Sequence, residues 1–272
     1  MARGALIPSQ LARAFAAGAA RAALELLLPP LCPACERLIV GTSDALVCST
    51  CWARIVPLPA PRCERCGHPS DGHACRWCDL LPPFVRAVRS VCWTGAGPAL
   101  AIVHALKYGG WQGVAMGMAD RMARIDWPRD VAAERTGLVP VPLSAARFRE
   151  RGFNQSELLA RRIAARWAIP VWTDVLVRAR ATETQTRLTP EQRRHNVFGA
   201  FAAAPAAGGR LHRAHVVLVD DVVTTAATLN ACAAALFDGG ARIISYATFG
   251  RAPAIGDRVP STGERNGNPR RN

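Results

Sequence analysis

The longest uninterrupted apolar strand signal in the chain is Val216-Val-Leu-Val219, and it runs straight into two acids, Asp220 and Asp221. An apolar run without alternation predicts a strand covered on both faces, as in a parallel sheet. Beyond the acids come the hydroxyls of Thr224, Thr225 and Thr228, and then a helix predicted from Leu229 to Asp238, stopped by Gly239-Gly240. Upstream, the pattern predicts a strand over Phe84–Trp93, a turn at Gly95 and Gly97, and a helix over Pro98–Tyr108. Gly137–Leu143 reads as a short buried strand whose prolines leave its end open at a site. Ser156–Trp167 reads as a helix with Leu158, Leu159 and Ile163 on one face, and a further strand is expected around Val171–Val177. Strands alternating with helices predict an α/β fold with a doubly wound parallel sheet, in which ligands sit beyond the carboxyl ends of the strands. Asp220, Asp221 and the loop at Pro142 all fall there.

Composition divides the rest of the chain. Residues 1–29 are Ala/Leu-rich, but Arg13, Arg21 and Glu25 interrupt them, so no apolar run approaches the ~18 residues of a membrane span. An amphipathic helix packed on the body is expected, with weak membrane contact as the alternative and no stable membrane insertion. Residues 30–82 hold most of the cysteines and end at Pro82-Pro83, residues 83–250 form the α/β body, and 251–272, rich in Pro, Gly, Arg and Asn, read as a disordered basic tail.

Eight of the ten cysteines form four C-x-x-C pairs: Cys32 and Cys35, Cys48 and Cys51, Cys63 and Cys66, Cys75 and Cys78. Such spacing suits two four-cysteine zinc sites, most simply the first pair with the second and the third with the fourth, with crossed pairing left open. Iron–sulfur or thiol redox chemistry is the alternative, but none of the pairs opens a helix in a βαβ unit. Metal binding would supply folding free energy to a segment too small for a large core. His68 and His73 lie between the last two pairs and offer substitute ligands; Cys92 and Cys232 read as core residues. Free thiols and zinc ligands both fit a reducing, cytoplasmic setting.

The formal charge is +14, and Lys107 is the only lysine. Eight thiolates and two Zn²⁺ together carry −4, which would leave about +10. A chain this basic favours polyanions: phosphorylated substrates, pyrophosphate or nucleic acid.

The run from Val216 to Thr228 resembles the ribose-phosphate loop of type I phosphoribosyltransferases: a strand, two acids, then Thr-Thr-Gly-x-Thr. Ala226 stands where that family has glycine, and a left-handed backbone there would strain it by roughly 1–2 kcal/mol. Walker B chemistry is disfavoured, because the chain has no G-x-x-x-x-G-K-[ST]. Three more segments extend the resemblance to the ComF family of competence-associated proteins, with its GntX-like members, over roughly residues 30–250. They are His104-Ala-Leu-Lys-Tyr-Gly-Gly110, the Val139-Pro-Val-Pro-Leu143 strand with Arg147, Arg149 and Arg151-Gly-Phe-Asn-Gln155, and a stretch from Arg178 to Gly199.

The resemblance implies a double zinc ribbon joined to a domain that binds phosphoribosyl pyrophosphate with Mg²⁺ and transfers its phosphoribosyl group to an acceptor. Asp220, Asp221, Lys107 and Arg151 would serve the reacting centre. Thr224, Thr225, Ala226 and Thr228 would cradle the 5-phosphate, and Arg147, Arg149, Gly152, Asn154 and Gln155 would complete the phosphate and ribose contacts, guanidinium forks suiting pyrophosphate oxygens. The arginine segment reads as a loop after a strand. The Arg178–Gly199 stretch resembles a loop that closes over the ligand, and Thr189-Pro-Glu-Gln192 reads as a capping box. Nucleic acid and DNA-uptake proteins are the further partners the resemblance brings in. The alternative is a non-catalytic accessory protein that binds single-stranded DNA or a phosphoribosyl ligand, with Arg62, Arg65 and Arg76 of the ribbon touching DNA.

Overall fold

A computed structural model describes residues 31–39, 46–70, 75, 77–180, 199–254 and 256–259. In chain order the elements are α1 (Ser49–Ala53), β1 (Val85–Trp93), α2 (Pro98–Tyr108), α3 (Val114–Met122), α4 (Arg129–Glu134) and β2 (Arg135–Pro140). They continue with α5 (Ala145–Arg151), α6 (Gln155–Trp167), β3 (Leu176–Arg178), β4 (Phe201–Ala203), α7 (Gly208–Leu211), β5 (His215–Val223), α8 (Ala227–Asp238) and β6 (Ile243–Arg251). The expected amphipathic helix at the N-terminus, His73, Arg76 and the capping box at Thr189 lie outside the described residues. No described helix is long and apolar enough to cross a membrane.

The central sheet is parallel throughout, in the order β1-β6-β5-β2. As the unbroken apolar run of β5 predicts, both faces are covered. Val217 and Val219 point into a core with Ile102 and Leu106 of α2, Met118 and Met122 of α3, and Leu159 and Ile163 of α6. Val216 and Leu218 point the other way, onto Leu229, Cys232 and Leu236 of α8. Cys92 and Cys232 are both fully buried, as core cysteines. Helix α2 starts at Pro98 after Gly97, whose φ of 76° only glycine adopts cheaply.

Three expectations change. The strand expected over Val171–Val177 splits: Val171 makes a lone parallel bridge to Leu138, and Leu176–Arg178 pairs antiparallel with β4 instead. Pro170 and Trp172 flank that bridge: the Leu138 N–H donates to the Pro170 carbonyl, and the Leu138 carbonyl accepts from the Trp172 N–H. The arginine segment after β2 is a helix, because Ser144 caps it by accepting from the Arg147 N–H and Gly152, at φ 77°, ends it. Arg251, read as the first tail residue, is the last residue of β6 and is buried.

Candidate functional site

The two clusters of cysteine sulfurs come first in the chain. Cys32, Cys35, Cys48 and Cys51 form one group and Cys63, Cys66, Cys75 and Cys78 the other, each with its sulfurs within 4.8 Å of one another. Pairing is therefore sequential, not crossed. Sulfur–sulfur distances of 3.7 Å (Cys35–Cys48), 3.4 Å (Cys63–Cys78) and 3.3 Å (Cys66–Cys75) approach the edge of about 3.8 Å that a Zn–S bond of 2.3 Å gives a tetrahedron. Backbone N–H groups point at sulfur, from Cys48 to Cys32 and from Cys51 to Cys48. Burial works against ionising Cys32, but the backbone N–H groups of Cys48, Ala34 and Cys35 outweigh it and bring the thiol down to about 7, whereas burial and neighbouring thiols push Cys51 and Cys66 up. Four such thiols cannot all ionise at this spacing without a cation, and Zn²⁺ fits both sets. His68 is not a ligand: its Nε2 lies 3.1 Å from Asp257 and its ring packs between Trp77 and Trp93.

Nor is Arg65 available to DNA. Its guanidinium donates to the carbonyls of Cys78, Val85, Leu81 and Pro82, joining the second cysteine cluster to the start of β1. Gly67, at φ 66°, lies so close to the Val88 carbonyl that a Cβ would collide with it. That seat, and not ribbon surface chemistry, accounts for Arg65.

At the carboxyl edge of the sheet, four elements converge. Adjacent residues of a strand face opposite ways, and each acid at the end of β5 has its own partner. Asp221 is buried and its Oδ2 lies 2.8 Å from Nζ of Lys107, at the end of α2. Asp220 is partly exposed, and its Oδ1 accepts from Ser156 Oγ at 2.8 Å and from the Asp221 N–H at 2.9 Å. Burial pushes the Asp220 carboxyl well above its ordinary value; Asp221 adds to that, while Lys107 and Ser156 oppose it. For Lys107 burial pulls downward, but the Asp221 carboxylate outweighs it and leaves the ammonium more firmly charged.

Arg151 completes the cluster from the end of α5. It donates to Gln155 Oε1 at 3.0 Å and lies 5.2 Å from the ring of Tyr108, the neighbour of Lys107. Gln155 is 5% exposed. Asn154 has both ends of its amide engaged, Oδ1 capping α6 through the Ser156 N–H and Nδ2 donating to the Val141 carbonyl, so here it shapes the turn. Arg149 is exposed on α5 and Arg147 half-buried; Gly152 serves as the helix stop. Ser156 escaped the sequence reading, which saw only the first residue of a helix. Its place directly after Asn154-Gln155 was the available signal.

Beyond the acids, Thr224 is exposed, Thr225 and Thr228 are partly buried, and Ala226 takes φ 59°, the left-handed conformation in which alanine is strained where the resembled family has glycine. Ala226 is also the N-cap of α8, and no side chain caps that helix. The N–H groups of its first turn are thus left to an anion or solvent, with the helix dipole favouring the anion. Thr225 Oγ1 is buried and has no hydrogen-bond partner among the described residues.

A double zinc ribbon domain family matches residues 23–80. The DNA utilization protein YhgH of Salmonella typhi is 35% identical over 231 residues, covering 80% of this chain and 96% of that protein. The chain belongs to the ComF/GntX-like family. Other relatives agree with that membership. Competence protein F of Haemophilus influenzae is 39% identical over 93 residues, 34% of this chain and 40% of that protein. Competence protein ComFC of Bacillus subtilis is 27% identical over 204 residues, 72% of this chain and 80% of that protein. As a ComF-family chain it combines two cysteine tetrads with a parallel α/β sheet, an arrangement consistent with the type I phosphoribosyltransferase fold.

Proposed function

We propose that the protein binds phosphoribosyl pyrophosphate with Mg²⁺ and transfers the phosphoribosyl group to an acceptor. The observation that carries this reading is the layout at the end of β5: a partly exposed carboxylate held by Ser156, a buried carboxylate neutralised by Lys107, and an uncapped helix start at Ala226. Such a layout suits a ligand with hydroxyls at one end and phosphate at the other. The N–H groups of α8 and the Thr224 and Thr225 hydroxyls support the 5-phosphate, and Asp220 accepts from ribose hydroxyls. Lys107 and Arg151 supply positive charge for the pyrophosphate. Mg²⁺ prefers carboxylate and phosphate oxygens, which this edge and this ligand would offer together, and it would neutralise charge on the leaving group. The chain's own part is positioning and electrostatic stabilisation.

The phosphate end is tested with ribose 5-phosphate. The Thr225→Val variant should bind it about tenfold more weakly than wild type, the loss expected for one charge-assisted hydrogen bond. Equal affinity would contradict the loop's role.

The names of the relatives, DNA utilization and competence, favour a second reading, an accessory role on single-stranded DNA. Phe148, half exposed between Arg147 and Arg149 on α5, offers an aromatic face flanked by guanidinium groups. Arg147→Glu/Arg149→Glu should then lower affinity for an oligonucleotide and flatten its salt dependence; unchanged binding would remove this reading.

A further inference from the structure

The second cysteine cluster lies behind the phosphate loop. Arg251 ends β6, where it pairs in register with Val223, the residue before Thr224, and the Ala252 N–H bonds to the Val223 carbonyl at 2.9 Å. The same Arg251, 5% exposed, donates from its guanidinium to the carbonyl of Cys66, a member of the tetrad. A second tether joins the helix that follows the loop: Asn230 Nδ2 donates to the Leu80 carbonyl at 2.7 Å, and Tyr246 Oη donates to Asn230 Oδ1 at 3.0 Å. Leu80 closes the 3-10 turn that begins at Cys78, again a tetrad member.

Between these tethers is a small cavity lined on one side by Cys66, Trp77 and Leu80 and on the other by Thr224, Thr225 and Ala226. Ala226, strained at φ 59°, thus has the ribbon at its back, and a residue held in such a conformation needs surroundings that over-determine it. The first tetrad sits elsewhere. Its Leu46 and Trp52 pack on α3 at Gly113 and Gly117, with Arg121 stacked on the Trp52 ring at 3.7 Å.

We propose that the second zinc knuckle is the rear wall of the phosphate loop: Arg251 and Asn230 are positioning residues through which zinc at Cys63, Cys66, Cys75 and Cys78 orders residues 223–230, while zinc at the first tetrad does not. The effect on phosphate affinity rests on the proposed function; the effect on loop order does not.

Hydrogen exchange of the full-length, zinc-loaded chain, peptide by peptide, separates the two. Arg251→Met and Asn230→Ala leave all eight ligands in place and should keep two zinc ions per chain. Exchange over 223–230 should nevertheless accelerate about tenfold or more, and ribose 5-phosphate affinity should fall about tenfold, within the range of ordinary site-to-site coupling. Arg251→Lys, which retains a donor for the Cys66 carbonyl, should recover part of both. Cys75→Ser should accelerate the same peptides and Cys35→Ser should spare them, accelerating α3 instead. Unchanged exchange over 223–230 in Arg251→Met and Asn230→Ala, or equal acceleration by Cys35→Ser, would overturn the proposal. If Cys75→Ser fails to fold, the two zinc-retaining variants decide. If wild type does not bind ribose 5-phosphate, the proposed function falls and the exchange result still judges the wall.

Discussion

Lys107 Nζ stands 2.8 Å from Asp221 Oδ2, joining the end of α2 to the end of β5 through a pair whose acid side chain is only 3% exposed. A carboxylate taken so far out of water needs its partner. Removing one member of such a pair leaves an uncompensated charge and costs about 3–5 kcal/mol, much more than the pair itself contributes. Lys107→Met should therefore lower unfolding free energy by about 3 kcal/mol in urea titration, and Lys107→Met/Asp221→Asn should recover at least half of that loss. Equal stability of single variant and wild type would show that Asp221 is not held by charge.

Ala226 offers a test of backbone strain. Its φ of 59° costs about 1–2 kcal/mol, and glycine would relieve that while adding about 0.5–1 kcal/mol of unfolded-state entropy. Ala226→Gly should thus be neutral to slightly stabilising, and Ala226→Val, with a branched Cβ, should destabilise by more than about 1 kcal/mol. Thermal unfolding of the three chains should give the order glycine, alanine, valine.

Acid sensitivity has a source away from the site. Burial pulls His215 down to about 4 from an ordinary 6.5, against the opposing pull of Glu134 and Asp130, and its Nε2 contacts Ser245 Oγ at 2.9 Å. Between those values the unfolded chain binds a proton that the folded one does not, so stability rises with pH across the window and is lost as pH falls from 6.5 toward 4, by at most about 3 kcal/mol. His215→Asn should have a flatter stability–pH curve than wild type over pH 5–6.5. Parallel curves would assign the acid loss elsewhere, for example to proton competition at the cysteine tetrads.

Arg65 should behave as a structural residue. Arg65→Met removes a donor from the carbonyls of Cys78, Val85, Leu81 and Pro82, of which those of Cys78 and Pro82 still accept a backbone N–H, and should cost about 2–3 kcal/mol, while leaving the salt slope of any oligonucleotide binding unchanged. A reduced slope with intact stability would return Arg65 to the surface.

Much of this architecture is local in origin and so was readable along the chain. The tetrads follow from C-x-x-C spacing and the buried β5 from an apolar run without alternation, while strain at Ala226 was raised only as a condition, through the resemblance to a family with glycine there. Lys107 stood out because an arginine-rich chain keeps a lysine there alone. Asn230 and Arg251 were not readable, and Ser156 was marked only by its place after Asn154-Gln155, since their partners Leu80, Cys66 and Asp220 are 150, 185 and 64 residues away in sequence. Arg65 was misjudged for the same reason: a basic side chain near zinc looks alike in sequence whether it faces solvent or a ring of carbonyls. The α5 segment looked like a loop because its helix depends on two end residues, Ser144 and Gly152, more than on an apolar face; none of its residues is buried.

The ligand proposed for the end of β5 is phosphoribosyl pyrophosphate. Calorimetric titration of the zinc-loaded protein with phosphoribosyl pyrophosphate and Mg²⁺, beside Asp220→Asn and Asp221→Asn, tests that proposal most directly. Saturable binding at one site per chain that weakens at least about tenfold in both folded variants is the predicted result. No binding by wild type, or binding that both variants retain in full, would contradict the account.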